Sequence, residues 1–314
     1  MSLPIIFMYS GQGAQHYQMG KEIYENETVF REAMDACDGI VSPLIGTSLC
    51  KIIYGDKRKS EPFVRTLHTH PANVAVGYSL TRLLESKGIR PDYLLGYSLG
   101  EYTAAVISGA IGLREGLTFT VNQARLLETR TPAAGMIAVV ADPSLMQQRP
   151  DLFRSCTLAG HNFASHFVAT GESNQLRHIE RTLVDEGTTA LVLPISHGFH
   201  SAMVDPIRGE CLRLEIDFVA PTIPVISCMT KGRIGAYSSD HLWQVIRNPI
   251  RFYETIQALE KSGPYCYLDA GPAGTMNTFT KYILGRGARS QTLLSMNPFG
   301  RDLSSIETLV KTLS

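Results

Sequence analysis

A serine between two glycines is the pattern in this chain that most clearly predicts chemistry. Gly96, Ser98 and Gly100 form a GxSxG sequence between a short apolar run, 93–95, and a helical segment of small residues, about 99–110. In a sharp strand-to-helix turn, such a serine stands clear of the sheet at a helix N-terminus, where backbone N–H groups stabilise developing negative charge. The segment therefore predicts a nucleophilic serine.

A serine nucleophile needs a general base, and the chain offers nine histidines. His200 lies just before a helix predicted near 201–214, on a loop that could carry it to Ser98. A single histidine without further context is more often a surface or core residue than a base. As the base, it would give activity that rises with pH through about 6–7.

Composition places the chain among ordinary globular proteins. Of its 314 residues, 44% are hydrophobic and 18% are charged, which excludes a disordered chain. Lys and Arg number 29, as do Asp and Glu, so no net charge attracts nucleic acid or an anionic membrane. The N-terminus lacks the basic segment of a signal peptide, and no apolar run reaches the roughly 18 residues of a membrane-spanning helix. We expect a cytoplasmic protein that binds neither nucleic acid nor membrane.

The cysteines and histidines do not follow metal-site spacing. The six cysteines are scattered, without a CxxC pair, and there is no HExxH sequence. We interpret the cysteines as reduced, mostly buried thiols and predict no metal.

Short apolar strands alternate with helices over most of the chain, which predicts an α/β fold. Segment 132–195 has a different order of predicted strands and helices from the rest of the chain. Its predicted strands lie at 136–140, 156–160, 167–170 and 190–193, with helices at 143–149 and 173–186. The order βαββαβ is that of a ferredoxin-like unit. We therefore predict a large domain from 1–131 and 196–314, with 132–195 inserted as a small subdomain.

Several segments, in order, resemble motifs of the malonyl-CoA:acyl-carrier-protein transacylase family. This family includes the acyltransferase domains and free-standing acyltransferases of polyketide synthases. The matching segments are 10–15, 96–102, 198–201, 247–252 and 269–272. The resemblance covers nearly the whole chain. It implies an α/β-hydrolase-like large domain with an inserted ferredoxin-like subdomain, in agreement with the periodicity.

The resemblance also implies roles for individual residues. Ser98 is the nucleophile, His200 is the base, and the backbone C=O of Asn248 accepts a hydrogen bond from that base. The backbone N–H groups of Gln12 and Leu99 form the oxyanion hole. The implied reaction is ping-pong on a thioester carried by the phosphopantetheine arm of an acyl carrier protein, or possibly by coenzyme A, without another cofactor.

One departure from the family pattern concerns the acyl group. Malonyl-type members place an arginine 25 residues beyond the serine, where it grips the malonyl carboxylate. Here that position is Gln123, and Arg125, about 200° further around the helix, should face away. A neutral amide cannot replace the arginine, so we expect a neutral acyl group. If malonyl binds nevertheless, another cation such as Arg65 or Arg286 must hold it.

Three smaller features also concern the pocket. Tyr97 precedes the serine where the family usually has histidine, and His70 stands where the family tends to have glutamine. If His70 faces the pocket it could hold a water; otherwise it is a polar residue tolerated at the rim. His197 and Phe199 lie in an HGFH sequence that resembles the HAFH variant of malonyl-specific members. That variant goes with malonyl only in members that have the arginine, which is missing here, so we do not infer malonyl from it.

With the catalytic residues retained and the arginine missing, the chain resembles the free-standing, hydrolase-like acyltransferase homologues of trans-acyltransferase polyketide systems. That resemblance implies a serine acyl-enzyme of polyketide biosynthesis that hydrolyses neutral acyl groups from acyl carrier protein, which is an editing activity. The alternative is an acyltransferase that uses malonyl-CoA or moves a neutral acyl group between carriers. A weaker alternative is an inactive module that docks a carrier protein.

Overall fold

The computed structural model describes residues 3–313, whose strands form two separate sheets. In chain order the strands are β1 Ile5–Tyr9, β2 Tyr93–Gly96, β3 Gly135–Val139, β4 Thr157–Phe163, β5 His166–Gly171, β6 Ala190–Val192, β7 Val225–Ser227, β8 Gly232–Arg233, β9 Ile250–Arg251, β10 Cys266–Asp269 and β11 Gln291–Leu294.

The large sheet has the order β11-β10-β1-β2-β7-β8 and is parallel except for β8, which pairs antiparallel with β7. Ile6, Phe7 and Met8 of the central strand β1 are fully buried. A parallel strand with helices on both faces has this continuous apolar sequence. The carboxyl ends of β1, β2 and β10 meet at one edge, where open α/β sheets bind ligands.

Helices cover both faces of the large sheet. They are α1 Lys21–Asn26, α2 Thr28–Ile45, α3 Leu49–Tyr54, α4 Thr66–Ser86, α5 Gly100–Ile107, α6 Leu113–Arg130, α7 Leu145–Gln148, α8 Pro150–Phe153, α9 Ser173–Asp185, α10 Arg208–Leu212, α11 Ser239–Arg247, α12 Phe252–Glu260, α13 Thr275–Leu284 and α14 Asp302–Leu313, with a 3₁₀ helix at Ala202–Ile207. Of these helices, α7 to α9 do not cover the large sheet; they pack against the small sheet. Within residues 3–313, no helix is both long and apolar enough to cross a bilayer.

The small sheet has the order β6-β3-β5-β4-β9. Its first four members have the strand order of a ferredoxin-like unit, and all their pairings are antiparallel. Between this sheet and its helices lies a separate hydrophobic core that includes Ile137, Phe167 and Leu176. The sequence analysis did not predict β9, which adds to the edge of β4 from outside the predicted 132–195 segment.

Candidate active site

The turn after β2 holds Ser98 in a strained backbone conformation. Its φ is 53°, a left-handed value that non-glycine residues rarely adopt. The two flanking glycines are required by close contacts: a Cβ on Gly96 would collide with Glu101, and one on Gly100 would collide with the backbone of Tyr9. The strand and the helix therefore approach so closely that the turn projects Ser98 at the N-terminus of α5, as the GxSxG pattern predicts.

The structure brings His200 to Ser98. His200 Nε2 lies 2.9 Å from Ser98 Oγ, and His200 Nδ1 lies 2.7 Å from the backbone oxygen of Asn248. A carbonyl oxygen only accepts, so Nδ1–H donates to Asn248 and the lone pair of Nε2 faces the serine hydroxyl. This arrangement allows His200 to take the proton of Ser98, with a carbonyl in the place of the carboxylate of a Ser-His-Asp triad.

The loop that carries His200 is fixed at both sides. The backbone N–H of His200 donates to Ile246 O at 2.8 Å, and Thr170 Oγ1 donates to the backbone oxygen of the preceding residue, Phe199, at 2.7 Å. His200 itself has a φ of 60°. The base is thus held by the end of α11 on one side and by strand β5 of the small sheet on the other.

Burial lowers the pKa of His200 to about 4, although the hydrogen bond to Asn248 opposes the shift. The imidazole is therefore neutral at pH 7 and able to accept a proton. The sequence analysis predicted a titration near 6–7, the range of an exposed histidine. That value is wrong for this site because the ring is 2% exposed and its charged form loses the hydration that water would provide.

The two predicted oxyanion donors border the same cavity as Ser98. Gln12 follows β1, and Leu99 follows the serine at the N-terminus of α5. Within residues 3–313, the backbone N–H groups of Gln12 and Leu99 donate no hydrogen bond to a backbone oxygen. Two free N–H groups beside the serine are able to stabilise an oxyanion.

A cavity of about 40 Å³ lies against Ser98 and His200. Its remaining lining is mostly apolar and comes from the small sheet, the end of α11 and neighbouring loops. It includes Met136, Val168, Leu193, Ile195, Phe199, Ile246 and Ile250. Tyr97 and His70 also line it. The Tyr97 hydroxyl donates its proton in a hydrogen bond to Asn162 Oδ1 at 2.8 Å, so it could only accept from a ligand. Among the described residues that line the cavity there is no lysine or arginine.

The structure does not bring Gln123 or His197 into the cavity lining. Gln123 is fully buried in α6, and its Oε1 lies 3.0 Å from the hydroxyl of Tyr102. His197 Nδ1 lies 3.1 Å from Thr131 Oγ1, and its ring packs edge-on against Phe199. The side chains of both residues therefore contact partners outside the cavity lining or packed beside it, and neither borders the cavity itself.

The cations considered as replacements for the missing arginine also lie elsewhere. Arg65 is exposed and lies 3.6 Å from Glu128, and Arg286 is exposed on the loop after α13. Arg125 lies at the surface and donates to Leu44 O, as its position on the helix predicted. None of them lines the cavity.

Sequence reasoning missed a buried carboxylate directly behind the elbow. Glu101 is 1% exposed and accepts a hydrogen bond from Ser227 Oγ at 2.6 Å. Its other oxygen contacts Nε2 of His241, on the helix α11 that ends at Asn248. Glu101 follows the GxSxG sequence immediately, and a charged residue in a helix of small residues was the signal available.

Comparison with known proteins shows the family of this chain. Residues 6–311 match the family model described as acyl transferase domain. The chain is 36% identical over 313 residues to the polyketide biosynthesis acyltransferase homolog PksD of Bacillus subtilis, covering 98% of this chain and 96% of the relative. It is 38% identical over 312 residues to the homolog BaeD of Bacillus velezensis, with the same coverage.

Solved structures show the same fold. The acyltransferase domain from the second module of the salinomycin polyketide synthase superposes with a TM-score of 0.85 at 27% identity, covering 98% of this chain and 72% of that one. A loading acyltransferase from the avermectin modular polyketide synthase gives 0.90 at 21% identity, covering 98% and 99%. The fold is thus the two-subdomain α/β fold of acyltransferases, and this chain belongs to the acyltransferase domain family.

Proposed function

We propose that this protein hydrolyses short, neutral acyl groups from acyl carrier proteins in polyketide biosynthesis. The observation that carries this proposal is the cavity beside Ser98: it is small, mostly apolar and without a cation among its described lining residues. A buried carboxylate without a cation is strongly disfavoured, whereas an acetyl-sized group matches such a cavity. The two Bacillus relatives, named as polyketide biosynthesis acyltransferase homologs, support the pathway.

The first half-reaction forms an acyl-serine. His200 Nε2 takes the proton of Ser98 Oγ as that oxygen attacks the thioester carbonyl. The carbonyl oxygen becomes an oxyanion, which the N–H groups of Gln12 and Leu99 stabilise. The C–S bond then breaks, and His200 gives its proton to the departing thiol of the phosphopantetheine arm. Throughout, the carbonyl of Asn248 keeps the ring oriented and stabilises its positive charge.

The second half-reaction transfers the acyl group to water. His200 takes a proton from water, whose oxygen attacks the acyl carbon, and the C–Oγ bond breaks as Ser98 regains a proton. The products are the free enzyme and a short carboxylic acid. Hydrolysis of this kind would remove acyl groups that block a carrier protein.

The second candidate function is acyl transfer, in which a carrier thiol rather than water accepts the acyl group from malonyl-CoA or another acyl donor. Membership of the acyltransferase domain family favours it. An inactive docking module is disfavoured, because Ser98, His200 and the Asn248 carbonyl are joined by hydrogen bonds.

Intact-mass spectrometry tests the choice of acyl group. The protein is mixed separately with acetyl-carrier protein and with malonyl-CoA, and the mass of the chain is followed over time. We expect acetyl-serine to form and then disappear as acetate is released, with little malonyl adduct. A malonyl adduct that forms quickly and persists until carrier thiol is added would favour the acyltransferase.

A further inference from the structure

His70 is a buried polar residue of the cavity that lacks a hydrogen-bond partner. It lies in α4, directly before Pro71, and lines the cavity together with Ser98. The residue is 1% exposed, and neither ring nitrogen has a partner within residues 3–313. Leaving a buried polar group unpaired is energetically unfavourable. A fold that retains such a group beside a reactive serine suggests a ligand for it.

The side chain of Gln12 repeats this feature. Its amide oxygen and nitrogen are both buried and without a partner in the described chain. Gln12 lines the same cavity as His70. Because most of the remaining lining is apolar, these two side chains determine which polar group the cavity accepts.

Their chemistry selects a group that both donates and accepts. Burial lowers the pKa of His70 to about 3, so its ring is neutral at pH 7 and offers one N–H and one lone pair. An amide likewise offers donors and an acceptor. A carboxylate only accepts, so it could take the N–H of His70 but would leave the lone pair without a donor. Water, in contrast, satisfies both kinds of site.

The cavity beside Ser98 has space for water. Its volume of about 40 Å³ exceeds the roughly 10–15 Å³ that one water needs, and its lining includes polar residues. We propose that His70, with the side-chain amide of Gln12, holds the water that hydrolyses the acyl-serine. This inference rests on the proposed hydrolase function.

In this step His70 positions the water and keeps its own protonation state. His200 takes one proton of the held water while the water oxygen forms a bond to the acyl carbon. The electrons of the C=O double bond move to the carbonyl oxygen, which becomes an oxyanion. As the intermediate collapses, the C–Oγ bond breaks and the proton passes from His200 to Ser98 Oγ. The carboxylic acid leaves, and His70 and Gln12 bind the next water.

Two variants separate positioning from a structural role. His70→Leu removes both ring nitrogens, whereas His70→Gln keeps a donor and an acceptor at the same place. With acetyl-carrier protein, we expect His70→Leu to acylate within about threefold of the parent but to deacylate about 10- to 100-fold more slowly, since a misplaced reactant costs up to that much. Acetyl-serine should therefore accumulate in its intact mass, and His70→Gln should stay within about tenfold of the parent.

Thermal unfolding supplies an independent readout. His70→Leu removes unpaired polar atoms from an apolar region, so we expect its Tm to equal or exceed that of the parent. Deacylation by His70→Leu at the parent's rate would overturn the proposal and leave the hydrolase function standing. A lower Tm with acylation and deacylation slowed alike would overturn it too, by showing a structural role. If the parent itself releases no acid, the hydrolase function fails and the inference fails with it.

Discussion

Two sets of serine, histidine and a hydrogen-bond acceptor lie close together in this molecule, and their bonding order differs. In the first, His200 lies between Ser98 and the carbonyl of Asn248. In the second, Glu101 lies between Ser227 and His241, which do not bond to each other. The cavity borders Ser98 and His200, but none of the members of the second set.

In the proposed mechanism, bonding order rather than residue type distinguishes the nucleophile from the other serine. The Ser227 hydroxyl donates a hydrogen bond to the carboxylate of Glu101, which His241 also contacts. Ser227 therefore has no free base beside it that faces the cavity. Glu101 instead joins α5 to α11, the helix that ends at Asn248. The second set therefore fixes the position of the first.

The largest expected effect is loss of the nucleophile. Ser98→Ala should reduce turnover by at least about 10³-fold, because only binding and the oxyanion hole remain. The measurement is acid release from acetyl-carrier protein, together with intact mass. Ser227→Ala is the matched control and should keep the acyl adduct. An adduct that persists in Ser98→Ala would show that another residue is the nucleophile.

Loss of the base should come next. His200→Ala should slow acylation and deacylation together by about 10²- to 10⁴-fold, since one imidazole serves both half-reactions. Stopped-flow release of thiol and of acid measures the two rates. His197→Ala, which removes the contacts with Phe199 and Thr131 but none with Ser98, should stay within about tenfold of the parent. The reverse result for the two histidines would assign the base to His197.

The second set should affect stability more than chemistry. Glu101→Gln leaves a buried group imperfectly paired, so we expect the free energy of unfolding to fall by about 1–3 kcal/mol. Urea unfolding measures this change, with the exposed Glu307→Gln as control. The acylation rate of the folded Glu101→Gln protein should stay close to that of the parent. Complete loss of acylation in a folded Glu101→Gln protein would show that Glu101 takes part in the chemistry.

The smallest expected effect is that of pH in the neutral range. His200 accepts a proton only when neutral, so kcat/KM is retained above its pKa and is lost as pH falls through about 4. With a small thioester substrate, the rate should be nearly constant from about pH 5.5 to 8. A midpoint near 6.5 would show that the ring is more hydrated than its burial indicates.

Local patterns predicted the elbow and the order of the main elements. The glycines around Ser98 and the ferredoxin-like order of 132–195 are visible in the sequence because turns and periodicity depend on neighbouring residues. The pairing of His200 with Ser98 needed the family resemblance, since 102 residues separate the two along the chain.

Features that depend on distant packing were not predictable in the same way. Helical spacing placed Arg125 at the surface, but it did not show that Gln123 contacts Tyr102 instead of the cavity. The two-residue strand β9 has no periodicity to detect. The pKa of His200 depends on burial by several segments at once, so an isolated histidine gave the wrong range.

The central claim, that water rather than a thiol receives the acyl group, is tested most directly with isotopically labelled water. The protein is incubated in H₂¹⁸O with acetyl-carrier protein and an excess of unacylated carrier protein, and the products are analysed by mass spectrometry. We predict acetate that carries one ¹⁸O atom and little acetylated acceptor. Acetyl groups on the acceptor carrier, without labelled acetate above the level of Ser98→Ala, would contradict the account.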